Sequence, residues 1–157
     1  MTVTTRVFSQ EPDLIGALPK LMAHARRFFA AEIEVLSASP PERAELAEAF
    51  VRLRFASARY PASGSFRIDS RATVADDRFA AEAAEARGQA GGMALLAARC
   101  PVLWGITLEG EARGTAELQL SALLASVALG PVLPADESTL YGVRGAMERA
   151  EKASQEP

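Results

Sequence analysis

The stretch ELQLSALLASVALGPVLP, residues 117 to 134, constrains the fold more than any other part of the chain. No charged residue follows Glu117 until Asp136. Successive helical residues advance by about 100°, so a helix here would carry apolar side chains in every direction. Such a helix must be covered on all sides. The side chains concerned are Leu118, Leu120, Leu123, Leu124, Val127 and Leu129.

A membrane span is the first alternative for this stretch. The uninterrupted apolar run covers residues 118 to 129, which is well short of the roughly 20 residues that a spanning helix needs. Gly130 and Pro131 then end the helix, because proline has no backbone N–H to continue it. The sequence therefore predicts a central core helix, and no membrane partner.

Length and composition favour a single domain. The chain has 157 residues and is 49% hydrophobic, enough for one core; we expect a globular unit over 1–152 and a disordered tail at 153–157. The net charge of −3, from 17 basic and 20 acidic residues, argues against nucleic-acid binding. Cys100 is the single cysteine, and residues 1 to 8 lack the features of a secretory signal, so we expect a cytoplasmic protein.

The first half of the chain is predicted to be mainly helical. Residues 2 to 8 could form a strand, and an apolar stripe over 13 to 36 predicts a helix. A wide apolar arc over 41 to 60 predicts a second helix, which would pair with the first as an antiparallel hairpin. Because EIEVLS also alternates, residues 32 to 37 remain open between helix and strand.

The second half alternates between strands and helices. We expect a half-solvated strand at 65 to 74, a helix at 77 to 87, a short helical segment before Pro101 and a buried strand at 100 to 108. The apolar helix, an edge strand at 130 to 133 and a last helix from about Asp136 follow. The fold class is thus α+β and predominantly helical, with an N-terminal helical hairpin plus a small sheet and a βαβ-like C-terminal half.

Strong catalytic signatures are missing from the sequence. His24 is the single histidine, and no G-x-S-x-G, H-E-x-x-H or paired-cysteine motif occurs, so we expect no metal site and no serine triad. Cys100 precedes a proline and an apolar strand and has no adjacent cation, which is typical of a buried small hydrophobe.

His24 nevertheless carries one alternative function. Lys20 lies four residues before it and Arg27 three residues after it. This pattern is similar to the phosphorylated helix of histidine phosphotransfer domains, although Phe28 and Phe29 replace the small residues found there. The resemblance implies that His24 is a phosphoacceptor whose phosphoryl group the two cations stabilise.

A glycine-rich stretch carries another alternative. RGQAGGMALL, residues 87 to 96, resembles the pyrophosphate loop of Gcn5-related acetyl-CoA N-acyltransferases, with Ala90 where that loop has glycine. The resemblance implies acetyl-CoA as a cofactor, held by Arg87, Gly88, Gln89, Gly91 and Gly92. The other interpretation is a kink between two helices, and residues 79 to 86 could be helix or strand.

The leading hypothesis is a non-catalytic accessory or assembly protein that acts through helix-mediated self-association or binding of a protein partner, with no cofactor. It depends on two apolar surfaces that one hairpin could not hide: the arc of the 41 to 60 helix and a small-residue face on the last helix. The interface candidates are Phe50, Val51, Phe55, Gly142, Gly145 and Ala146.

Overall fold

A computed structural model of the chain describes residues 5–39 and 48–155, and these residues form an α+β fold. They contain five helices and six strands, with 43% of the residues in helix and 31% in strand. The elements, in chain order, are β1 (Thr5–Ser9), α1 (Leu14–Phe29), β2 (Ala31–Ala38), β3 (Ala49–Ser57), β4 (Ala62–Ala72), α2 (Ala75–Gly88), α3 (Met93–Ala98), β5 (Val102–Leu108), α4 (Ala116–Ala128), β6 (Val132–Leu133) and α5 (Val143–Gln155). The expected α+β class is confirmed.

All six strands belong to one antiparallel sheet in the order β2-β3-β4-β5-β1-β6. β1 pairs antiparallel with β5 on one side and with β6 on the other, so β5 and β6 run parallel to each other. The segment between them contains α4, but the two strands do not pair with each other as a βαβ unit of neighbouring strands would, because β1 lies between them. No local feature of the sequence indicates this position of β1.

α4 is the centre of the main core, as the sequence predicts. Ten of its 13 residues are buried, and the partly exposed ones include Glu117 and Ser126. It packs against α1, α5 and several strands, all of which contribute to the same hydrophobic cluster. Among the described residues, no helix is both long enough and apolar enough to cross a membrane.

The opposite side of the sheet is covered along part of its width. α2 and α3 pack there over Phe8, Leu103 and Leu133, which form a second, smaller cluster. Further along the same side, β2, β3 and β4 present charged side chains to solvent. An antiparallel sheet tolerates this arrangement, because alternate residues of each strand face water and the core.

The predicted N-terminal helical hairpin is wrong. Residues 49 to 57 form strand β3, which pairs with β2 in a β-hairpin; residues 40 to 47 lie outside the described part. Val51, Leu53 and Phe55 are buried, while Arg52 and Arg54 between them are not. This alternation with a period of two is the pattern of a strand. The same segment also fits the apolar arc of a helix, because it is rich in alanine, and the sequence analysis chose the helix.

Other boundaries also differ from the expected ones. α1 ends at Phe29, because Ala30 adopts a left-handed conformation (φ 48°), and residues 32 to 37 are strand. Residues 79 to 86 are helical. The last helix begins at Val143 rather than near Asp136, and residues 153 to 155 belong to it instead of to a disordered tail. Residues 156 and 157 lie outside the described part.

Leu120→Ala should lower the free energy of unfolding by about 3 kcal/mol, because it leaves a cavity in the centre of the core. Leu129→Ala is the matched control: Leu129 follows α4 and is 53% exposed, so we expect a loss of about 0.5 kcal/mol or less. Urea denaturation of both variants measures the difference. Equal losses would contradict the central position of α4.

Candidate functional site

Strand β3 does not supply the apolar surface expected of it. Val51 and Phe55 are fully buried in the main core. Phe50 is partly buried, and the guanidinium of Arg67 lies 4.3 Å from the centre of its ring. The interface interpretation of Phe50, Val51 and Phe55 depended on a helix that does not form, so their apolar surface is used within the chain.

The small-residue face of the last helix is also largely used within the chain. Ala146 is buried in the main core, where α5 packs on α4. Gly142, just before α5, lies against α3, since a Cβ there would be 3.0 Å from the sulfur of Met93. Gly145 is exposed. Close approach at these positions therefore occurs between elements of one molecule.

The glycine-rich stretch forms a turn between α2 and α3 whose N–H groups already have an anionic partner. Gly92 N–H donates to Oε1 of Glu85 at 2.7 Å, and Ala94 N–H lies 3.4 Å from the same oxygen. A phosphate would need these donors. The carboxylate of Glu85 instead takes the place that a pyrophosphate has in the resemblance.

The rest of this stretch connects the turn to the loop before α5. Arg87 Nη1 donates to the carbonyl of Glu137 at 2.8 Å. Gly88 lies so close to Thr139 that a Cβ would overlap it, and Gln89 ends α2 in a left-handed conformation. Gly91 is exposed, with open space around it. Together with the helical 79 to 86, these contacts favour the helix-kink interpretation over an acetyl-CoA loop.

His24 lies on α1 and is oriented by α4. Its ring Nδ1 is 2.8 Å from the hydroxyl oxygen of Ser126, and that hydroxyl donates to the carbonyl of Leu123 at 2.6 Å. Because the hydroxyl hydrogen is used, Nδ1 is the donor and Nε2 keeps its lone pair. Partial burial lowers the pKa of His24 below its usual 6.5, and the charges of Lys20 and Arg27 lower it further. The imidazole is therefore neutral at pH 7.

The uncovered side of the sheet carries charges that are paired with one another. Arg52 donates to Glu109 at 2.8 Å, and Arg54 on β3 pairs with Glu34 on β2 at 3.0 Å. Arg67 pairs with Asp69 on its own strand. In each of these pairs the two charges neutralise one another, and an exposed ion pair contributes little to the free energy of folding. This surface offers few free charges to a ligand.

Asp77 is the one deeply buried carboxylate that the described structure shows on this side. Its side chain is 3% exposed and accepts two hydrogen bonds of 2.7 Å from Arg71 and one from the N–H of Val74; Arg6 lies 3.9 Å away. Burial alone would raise the pKa of Asp77, but these hydrogen bonds and charges bring it below its usual value. The cluster joins β1, β4 and the start of α2.

Cys100 is buried, and its thiol donates to the carbonyl of Leu96 at 3.3 Å. Burial raises the pKa of the thiol to about 11, so it is protonated at neutral pH. The expected role as a buried small hydrophobe is confirmed.

The most exposed apolar side chains lie on the layer formed by α2 and α3, which the sequence interpretation did not single out. Phe79 is 64% exposed and Leu95 is 72% exposed. Phe79 lies two residues after the buried Asp77 of α2, and Leu95 lies two residues before the buried Ala97 of α3. Because successive helical residues turn by about 100°, each side chain points about 200° away from its buried neighbour. We call Val74, Phe79, Ala86 and Leu95 the outer surface. The sequence signal that could have identified this surface was Phe79, an aromatic residue on the polar side of a helix.

No protein-family model, no curated protein and no solved structure matches the chain. Within residues 5–39 and 48–155, no three His, Cys, Asp or Glu side chains converge in a way that could hold a metal ion.

Asp77→Asn should lower the free energy of unfolding by about 2 kcal/mol at neutral pH, because it weakens the charged hydrogen bonds to Arg71. Since the pKa of Asp77 is lowered by folding, its contribution is complete above the usual value of 3.8 and is lost as the pH falls below it. Denaturant titrations across this range measure the effect.

Asp76→Asn is the control for this prediction, because Asp76 is exposed and adjacent in sequence. We expect a loss of about 0.5 kcal/mol or less. Two variants of equal stability at neutral pH would show that the buried ion pair does not hold α2 on the sheet.

Proposed function

We propose that this protein is a non-catalytic accessory or assembly protein that acts by association through its outer surface. The observation that supports it is the exposure of Phe79 and Leu95 on one layer of the fold. Large apolar side chains whose removal from water requires another molecule are typical of association sites. The proposed interface therefore lies on α2 and α3, whereas the sequence analysis placed it on residues that belong to β3 and α5.

The free energy available at this surface is substantial. Burying one large apolar side chain contributes about 1.5–3 kcal/mol relative to leaving it in water. Phe79 contributes little to the chain's own core, because it lies on the side of α2 opposite the buried Asp77, Ala81 and Ala84. Its contribution therefore becomes available when a partner covers it.

Other parts of the described surface fit association less well. The charges on the uncovered side of the sheet are paired, and β3 and Ala146 are occupied in the core. The near balance of acidic and basic residues supports a protein partner rather than nucleic acid, and the single buried cysteine fits a cytoplasmic location. The protein partner and the cytoplasmic location are both parts of the proposal.

A photo-crosslinking amino acid in place of Phe79 tests this function, because benzoylphenylalanine keeps the aromatic shape. We expect irradiation in the native cell extract to give one discrete adduct, which mass spectrometry identifies and which purified components reproduce. The control carries the crosslinker at Arg144 on α5, whose side chain is 93% exposed. No adduct at position 79, or the same adduct at both positions, would overturn the proposal.

Phosphotransfer through His24 is the second candidate, and the hydrogen bond to Ser126 favours it. That bond leaves the lone pair of Nε2 available on a neutral ring. With acetyl phosphate, Nε2 would form a P–N bond while the P–O bond to acetate breaks, acetate leaving with the electron pair and the ring releasing its Nδ1 proton to solvent. Lys20 and Arg27, one turn before and after His24, would then stabilise the phosphoryl group.

Incubation with acetyl phosphate tests this candidate. We expect intact-mass analysis to show one acid-labile phosphoryl group, none in His24→Gln, and about tenfold slower labelling in Ser126→Ala, where the ring is no longer oriented. An unlabelled native protein, or labelling that persists in His24→Gln, would exclude His24 as the phosphoacceptor.

A further inference from the structure

We infer that the partner at the outer surface is a second copy of this chain, bound with α2 antiparallel to itself about a two-fold axis near Ala80. The inference rests on the proposed function and specifies its partner. A two-fold interface must be self-complementary, because the same residues meet from both sides. The exposed side of α2 has this property in both its charges and its apolar residues.

The charges on this side of α2 are complementary about Ala80. Arg78 lies two residues before Ala80 and Glu82 two residues after it, so an antiparallel pair places each Arg78 opposite Glu82 of the second copy. In α2 the two residues lie about 40° apart around the helix, and both are exposed. The two-fold axis repeats the contact, which gives two ion pairs.

Arg78 and Glu82 are free to form these contacts. In the part of the chain that the structure describes, neither lies within ion-pairing distance of an opposite charge. The arginines of the uncovered sheet side contrast with them, since Arg52, Arg54 and Arg67 each have a carboxylate partner.

The apolar residues have the same centre of symmetry. Val74 precedes α2 in an extended conformation, so the large apolar side chain on the helix itself is Phe79, one residue from Ala80. Phe79 lies next to the axis and would pack beside its own symmetry mate. The small side chains of Ala75 and Ala86, both exposed, allow the helices to approach to about 8 Å. Charges and apolar contacts therefore agree on one register.

Charge reversal tests the register. Sedimentation velocity over about a hundredfold range of protein concentration should show a reversible dimer. Arg78→Glu should weaken the dimer about tenfold, because two attractions become two repulsions, and the double variant Arg78→Glu with Glu82→Arg should restore it. Phe79→Ala should weaken it by at least about tenfold, and its exposure means that the monomer still folds.

Arg144→Glu is the matched control, since Arg144 and Glu148 form an exposed pair with the same four-residue spacing on α5. It changes the net charge equally and should leave the dimer intact. A dimer unaffected by the α2 variants, or weakened equally by Arg144→Glu, would overturn the inference.

A native protein that stays monomeric also overturns it. If the crosslinker at position 79 then captures a different protein that purified components confirm, the proposed function stands without a second copy. A native protein that stays monomeric and gives no adduct at position 79 would overturn both the inference and the proposed function.

Discussion

The structure depends on covering a helix that is apolar all round. α4 has no polar side to turn to water, so the rest of the fold has to surround it. The sheet lies beneath it, and α1 and α5 flank it. This explains why both α1 and α5 carry one apolar stripe, whereas α2 and α3 bury mainly alanine, at Ala81, Ala84 and Ala97. The side that holds α4 received most of the chain's large apolar side chains.

Sequence reasoning succeeded where a segment's own residues decide its structure. The absence of charge identifies α4 and β5, and proline and glycine fix their ends. It failed at β3, where alternation of Val51, Leu53 and Phe55 with arginines competed with an equally good helical arc. Arg54 was the clue: inside a helical arc it would be buried, whereas in a strand it faces water and pairs with Glu34. The conformation of residues 32 to 37 stayed open in the sequence analysis, because pairing with β3 decides the conformation of the alternating residues of β2.

The candidate sites depend on contacts that local sequence does not contain. Glu85 accepts from the N–H of Gly92 in the turn between α2 and α3, and His24 reaches Ser126 across more than a hundred residues. The outer surface was hidden for a different reason. The exposure of Phe79 can be recognised only after the buried side of α2 is known, since an aromatic residue in a helix is usually in a core. Burial thus separates apolar residues that stabilise the monomer from those available to a partner.

The central claim is that one chain buries ten of the 13 residues of α4, which leaves the outer surface for association. Amide hydrogen exchange of Leu120, Leu123 and Leu124 tests it most directly. The account predicts that these amides exchange only by global unfolding, with a free energy equal to that from denaturant unfolding under conditions where the protein is monomeric. Exchange by local opening in the monomer, with protection that appears only when subunits associate, would show that a second subunit covers the helix and would contradict the account.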